Sequence, residues 1–195
     1  HVFNDAGGKG THGRWVVLRC RNVDIRLAHG LVHHKDNRST LHHPPMRLYD
    51  AHNHLQDDRL SARLDSILAT LPATGLSCAV VNGSAEDDWE SVAGLARKHP
   101  WVLPSFGLHP WYVKERTPAW KERLLHYLAE FPHAAVGEVG LDRWIPDPDV
   151  PAQTEAFLWQ LDVASRENRP ATIHCLRAWG LLADLLADHA VPARG

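Results

Sequence analysis

Apolar positions recur along this chain with two alternating periods, one suited to strands and one to helices. Arg47-Leu48-Tyr49-Asp50 predicts a short strand. Residues 57–71 follow with apolar side chains at Leu60, Leu64, Ile67, Leu68 and Leu71, the stripe of an amphipathic helix. Ser77 to Asn82 predicts a second strand, ended by Gly83-Ser84, and Asp87 to His99 carries Trp89, Val92, Ala93 and Ala96 on one helical face. A third strand, Trp101 to Phe106, precedes a helix from Pro118 to Phe131 with Trp120, Leu124, Leu125 and Leu128 turned inward. Ala134 to Val139 predicts the fourth strand, and residues 151–168 a long helix bearing Phe157, Leu158, Leu161 and Ala164. Ala171 to His174 is the fifth strand and Trp179 to His189 the fifth helix.

Five successive βα units predict a parallel sheet covered by helices, an α/β fold. An open doubly wound sheet and a (β/α) barrel both satisfy that alternation. The polar residues separate them. His52 and His54 follow the first strand, His109 the third, Glu138 and Asp142 lie in or after the fourth, and His174 and Arg177 at or after the fifth. In a barrel all these strand ends open on one face. In a doubly wound sheet the site concentrates at one switch point, and no glycine-rich phosphate loop follows the first strand here. The expectation is therefore a TIM-barrel type fold. With 195 residues the chain is short for eight units, which need about 250. Five of the eight strands are expected, hence an incomplete barrel.

The first 45 residues lack this patterning. They contain seven histidines, and seven Lys/Arg against three Asp. They therefore carry about +4 of a whole-chain charge of −2. Trp15-Val16-Val17-Leu18 is their one apolar run, and Gly7-Gly8-Lys9-Gly10 and His42-His43-Pro44-Pro45 read as loops. Met46, the single methionine, falls where the pattern starts, so residues 1–45 are expected to be an extension that need not be native and 46–195 the patterned domain. His29, His33, His34, His42 and His43 lack a repeated ligand spacing and are assigned no role, against a His-rich metal-binding tail as the alternative.

Composition adds little except histidine and tryptophan. The chain is 44% hydrophobic and 23% charged, ordinary for a soluble domain, and its small net charge gives no drive toward nonspecific nucleic-acid binding. Fifteen histidines invite a search for a metal site. Residues i and i+2 of an extended segment point the same way, so His52 and His54 can reach one ion. A carboxylate and further imidazoles, without a thiolate, suit zinc, manganese or a similar divalent ion. Three scattered cysteines without a CxxC pair fit a reducing cytoplasm, and no apolar run nears the roughly 18 residues of a membrane span. No obligate protein partner is evident.

Four motifs together carry a family resemblance: Asp50-Ala51-His52-Asn53-His54, Gly107-Leu108-His109-Pro110, Val136-Gly137-Glu138-Val139-Gly140-Leu141-Asp142, and Ile173-His174-Cys175-Leu176-Arg177. In that order they resemble the TatD family of metal-dependent hydrolases, among the amidohydrolase-like TIM barrels. The resemblance implies two divalent ions (Zn, Mg or Mn). His52 and His54 would hold the first, Glu138 would bridge the two as the catalytic carboxylate, and His174 would hold the second. It also implies that His109 helps hold the substrate's phosphate or oxyanion. Apart from the resemblance, Asp142 is a candidate metal-shell or substrate residue, or else a loop cap, and Arg177 a candidate to hold a phosphate or to pair with a carboxylate on the barrel face. The implied activity is phosphodiester hydrolysis of DNA, often from a 3′ end, in the cytoplasm. The family also uses a histidine after strand six and an aspartate after strand eight, the expected general base. Neither has a counterpart here, and His189 falls in the last predicted helix, so the 195 residues alone are expected to be a poor enzyme or none. The alternatives are hydrolysis of another ester or amide, and a non-catalytic metal-binding fragment. Amidohydrolase relatives often place a carboxylated lysine where this chain has Glu138, which favours the TatD reading.

Other conspicuous residues have plainer expectations. Trp89, Trp120 and Trp159 belong to helical apolar faces and Cys175 to packing; His99, His126 and His133 are expected at the surface or at helix ends. Trp111 and Trp144 follow strand ends, where they would line a pocket or stack on bases.

Overall fold

The computed structural model describes residues 47–192, together with the backbone of two short strands nearer the N-terminus. Those two, β1 (Val17–Cys20) and β2 (Val23–Arg26), pair antiparallel with Val17 opposite Arg26 and Cys20 opposite Val23. This hairpin differs from the expectation of an unpatterned segment. Its alternation, Val23-Asp24-Ile25-Arg26, covers only four residues, too few to register as a period. The histidines at 29, 33, 34, 42 and 43 lie outside the described residues.

The main sheet contains β3 (Leu48–Asn53), β4 (Leu76–Asn82), β5 (Val102–Phe106), β6 (Ala135–Asp142) and β7 (Ala171–Leu176). Every neighbouring pair is parallel, and the spatial order is the chain order, β3-β4-β5-β6-β7. That order settles the choice left open by alternation. A doubly wound sheet reverses direction at a switch point, whereas successive barrel strands always add on the same side. Five such strands with their helices make half a barrel.

The helices are α1 (Leu64–Thr70), α2 (Trp89–Lys98), α3 (Trp120–Glu130), α4 (Val150–Arg166) and α5 (Trp179–Asp188). The stretch expected as one helix over 57–71 divides into a 3-10 turn, Asp58–Arg63, then α1, then a second 3-10 turn, Leu71–Thr74. Its left-handed exit at Gly75 (φ 88°) returns the chain to β4. Asp149 caps α4 by accepting from the Ala152 backbone N–H, and Pro151 sits in the first turn, where a missing N–H costs nothing.

The core between sheet and helices is built from the expected stripes. Trp89, Val92 and Ala93 of α2, Trp120, Leu124 and Leu128 of α3, and Phe157, Leu161 and Ala164 of α4 are all buried against Phe106, Val136, Val139 and Leu141. Leu125 departs from expectation: it lies one 100° step off the buried stripe and is exposed. Trp159 is half-buried, edge-on to Trp120 at 4.9 Å. His126 and His133 are at the surface and His99 caps the end of α2, as expected; His189 is the C-cap of α5 and exposed.

Candidate metal centre

Parallel strands deliver their C-terminal ends to one side, and five of the expected site residues meet there. On β3 and just beyond it, the Nε2 atoms of His52 and His54 lie 3.2 Å apart. Each is 3.4 Å from Oε2 of Glu138, on β6. The other oxygen of the same carboxylate, Oε1, is 3.4 Å from Nδ1 of His174 on β7 and 4.0 Å from Nε2 of His109. Glu138 thus divides its two oxygens between two sets of imidazoles, and two ligand-like groups share it: His52–His54–Glu138 and His109–Glu138–His174.

The spacing fits a divalent ion. Donors about 2.1 Å from one tetrahedral centre are about 3.4 Å from each other, close to the distances seen among His52, His54 and Glu138. Hydrogen bonds behind the ligands assign the tautomers. Nδ1 of His54 donates to the Asn82 backbone carbonyl at 2.8 Å, so Nε2 is the nitrogen that faces Glu138, a donor to it when protonated and a lone-pair ligand when a cation takes the proton's place. Nε2 of His174 donates to Asp142 Oδ2 at 3.0 Å, which frees Nδ1 on the Glu138 side. His109 is the opposite case. Its Nδ1 accepts from the Trp111 backbone N–H at 3.2 Å, so the neutral ring carries its proton on Nε2, facing the carboxylate. Burial holds this imidazole neutral, with its pKa pushed down to about 4. His109 therefore presents an N–H donor, which suits an oxyanion better than a cation.

Electrostatics bind the cluster together. Burial by itself pushes the Glu138 carboxyl up, but the hydrogen bonds from His174, His52 and His54 outweigh it and hold the group far below the ordinary carboxylate range. The same carboxylate raises His54 and His174 above the usual imidazole value, against the effect of their burial. Asp50 braces the β3 end: its carboxylate accepts from the His52 backbone N–H and from Asn53 Nδ2.

Asp142 stands behind the cluster, a position that fits the metal-shell reading rather than direct substrate contact. It is fully buried behind His174. Its Oδ2 accepts from His174 and from Trp111 Nε1 at 2.7 Å, and Oδ1 accepts from the Trp144 backbone N–H at 2.7 Å. Burial favours its protonated form, but these donors overcome that and keep its pKa low. Arg177, beyond β7, is exposed, adopts a left-handed backbone (φ 53°), and lays its guanidinium 5.1 Å from the centre of the Trp144 ring.

Several supporting residues escaped the sequence reading. Gln160 of α4 holds both the N–H and the C=O of Leu108, and Gln153 does the same for Asp142. Both glutamines are fully buried, and together they clamp the ends of β5 and β6 onto one helix. A signal was present: two polar residues seven apart, in line with Phe157, Leu161 and Ala164 on the apolar face of a helix, need buried partners. Gly140 (φ 146°) permits close approach of β6 and β7, since a Cβ there would stand 1.9 Å from the His174 carbonyl oxygen. Asn82 supplies a backbone carbonyl, for which side-chain identity offers no clue.

The half barrel and its shared histidine–carboxylate cluster define the class: an α/β protein with a metal-hydrolase-like site at the strand ends. A family model described as TatD related DNase matches residues 49–195, and the chain belongs to the TatD family. It is 31% identical over 159 residues to an uncharacterized metal-dependent hydrolase, TatD, of Mycobacterium tuberculosis, covering 74% of this chain and 58% of that protein. A 3'-5' ssDNA/RNA exonuclease TatD of Escherichia fergusonii is 27% identical over 130 residues, or 66% of this chain and 49% of the relative. The crystal structure of YjjV, a TatD homolog from Escherichia coli, superposes with a TM-score of 0.69 at 28% identity, covering 75% of this chain and 57% of that one. The chain thus spans about half to three fifths of the length of these relatives.

Proposed function

We propose that this chain carries the first half of the active site of a divalent-metal-dependent phosphodiesterase acting on single-stranded nucleic acid. The observation that carries the reading is the division of Glu138, with Oε2 facing His52 and His54 and Oε1 facing His174. One carboxylate placed between two imidazole sets suits two cations better than one. On this reading residues 46–195 are the barrel segment, and 1–45 take no part in it. The substrate class rests on the relative named as an ssDNA/RNA exonuclease.

His52, His54 and Glu138 would hold one ion, and Glu138 and His174 the other. Ions bound there would lower the pKa of a water and offset charge on the attacked phosphoryl group. The chain's own groups do the remaining work. His109, neutral and with its proton on Nε2, donates to a phosphoryl oxygen and so stabilises developing charge. Asp142 acts as a positioning residue: it accepts the hydrogen bond from His174 Nε2–H and so keeps Nδ1 turned to the ion. Arg177 neutralises a backbone phosphate at the rim. Among the described residues no helix is long and apolar enough to cross a membrane, and we place the protein with its nucleic-acid substrates in the cytoplasm.

The test pairs metal content with cleavage. A labelled single-stranded oligonucleotide is incubated with Mg, Mn or Zn, using the wild type and Glu138→Ala, and bound metal is counted by elemental analysis. With the remaining barrel strands supplied, the expected result is 3′ shortening by the wild type, and loss of activity and of bound metal in the variant. Equal cleavage by both proteins sinks the bridging assignment. Metal bound without cleavage by the wild type identifies the non-catalytic alternative, and cleavage confined to other esters or amides changes the substrate class.

A further inference from the structure

The metal cluster uses only part of what the strand ends display. Trp111 and Trp144 are large apolar residues left 54% and 63% exposed beside a buried polar site. Trp111 follows β5 and Trp144 follows β6, so both stand on the face that bears Glu138 and His174. A freely solvated tryptophan would be held by nothing, yet these two are tied to one buried group. Asp142 accepts the Trp111 ring N–H on one oxygen and the Trp144 backbone N–H on the other, while the same carboxylate orients His174. Trp111 also meets the His109 ring edge-on at 5.8 Å. Trp144 is backed by the Arg177 guanidinium at 5.1 Å and still keeps most of its surface in water.

Aromatic faces that remain exposed, one anchored by its ring N–H and the other by its backbone, suit a flat ligand that must be recognised by its π-face. A cation stacked on one side of an indole polarises it and places positive charge where an anionic linkage would pass. A nucleobase joined to a phosphate meets both conditions. Stacking on aromatic side chains next to positive charge is the general means of holding single strands without reading their sequence.

We propose that Trp144, backed by Arg177 and flanked by Trp111, is a base-stacking subsite that seats an unpaired nucleobase next to the scissile phosphate. The subsite deepens the hydrolase reading and rests on it for the position of that phosphate. It requires an unstacked base, so it selects single strands over duplex ends, and it contacts no hydrogen-bonding edge, so it tolerates any base.

Fluorescence anisotropy with a labelled oligothymidylate, and with the same strand carrying abasic residues, tests this in EDTA, which strips divalent metal, and again in Mg²⁺. Trp144→Ala should bind the oligothymidylate roughly tenfold more weakly than the wild type, and Trp144→Phe should recover most of the loss. On the abasic strand, wild type and Trp144→Ala should be equal. Equal loss on both strands, no loss on either, or no binding of the oligothymidylate by the wild type overturns the subsite. A base-dependent Trp144 effect in a protein that cleaves with no metal leaves stacking in place and removes the hydrolase. Cleavage that needs Glu138 but ignores the base does the reverse.

Discussion

The inner strands β4, β5 and β6 and the outer strands β3 and β7 belong to one sheet but live in different surroundings. All of β5 and β6 and most of β4 are buried, while β3 and β7 are mostly exposed or half-buried, with Leu48 and Ile173 among the exposed apolar residues. The inner strands are held by the hydrophobic effect on both faces. The outer strands have less of it and contribute His52 and His174; His54 follows directly after β3. The carboxylate that these three face sits on the inner strand β6. The cluster therefore joins the weakly packed edges of the sheet to its well-packed centre. In this molecule a metal centre would do structural work as well as chemical work.

That contrast can be broken first by truncation. Phe106→Ala, in the middle of the core, should cost about 3–5 kcal/mol by the cavity it leaves, whereas Ile173→Ala should cost about 1 kcal/mol. Urea unfolding of the metal-free protein measures both, and similar losses at the two positions would erase the distinction between inner and outer strands.

Metal addition sharpens it next. A divalent ion at a hundred times its dissociation constant should stabilise the fold by about 2.7 kcal/mol, and amide hydrogen exchange should slow more in β3 and β7 than in β5. The pH dependence follows from His54 and His174, both raised above the usual imidazole value by Glu138. In the metal-free protein their protonated forms contribute stability that is full below the unfolded pKa and lost as pH rises through the folded one. The ion needs them neutral and displaces those protons. Its stabilising effect should therefore grow as the pH rises from about 6 to about 8. Uniform protection across the sheet, or no pH dependence, would count against the clamp.

The smallest expected effect tests the support behind the clamp. Asp142→Asn keeps the shape but weakens the acceptor for His174 Nε2–H, and should lower metal affinity by about 10–100-fold with little change in unfolding of the metal-free protein. Calorimetric titration reads the first and urea the second; unchanged affinity would make Asp142 a purely structural residue.

Much of this was legible along the chain. Helices α2 to α5 and strands β4 to β7 lie within a few residues of the elements expected from periodicity, because burying one face is a local pattern requirement. The H-x-H pair, Glu138 and His174 were legible because strand ends are marked by where apolar runs stop. The sequential strand order was legible only indirectly, through the polar residues at successive strand ends that predicted a barrel, since nothing within a βα unit states which neighbour its strand will join. The work of Gln153 and Gln160, whose partners are backbone groups 11 and 52 residues away, was not legible.

The sequence by itself determined the elements, the polar residues at their ends and the family. Only the tertiary structure decided the roles within the site: His109 as a neutral donor, Asp142 as a buried anchor behind His174, and Trp144 as an open face backed by Arg177. The physical reason is that type and spacing state what a side chain is able to do. Its tautomer, charge and exposure depend on neighbours that the fold brings in from distant parts of the chain.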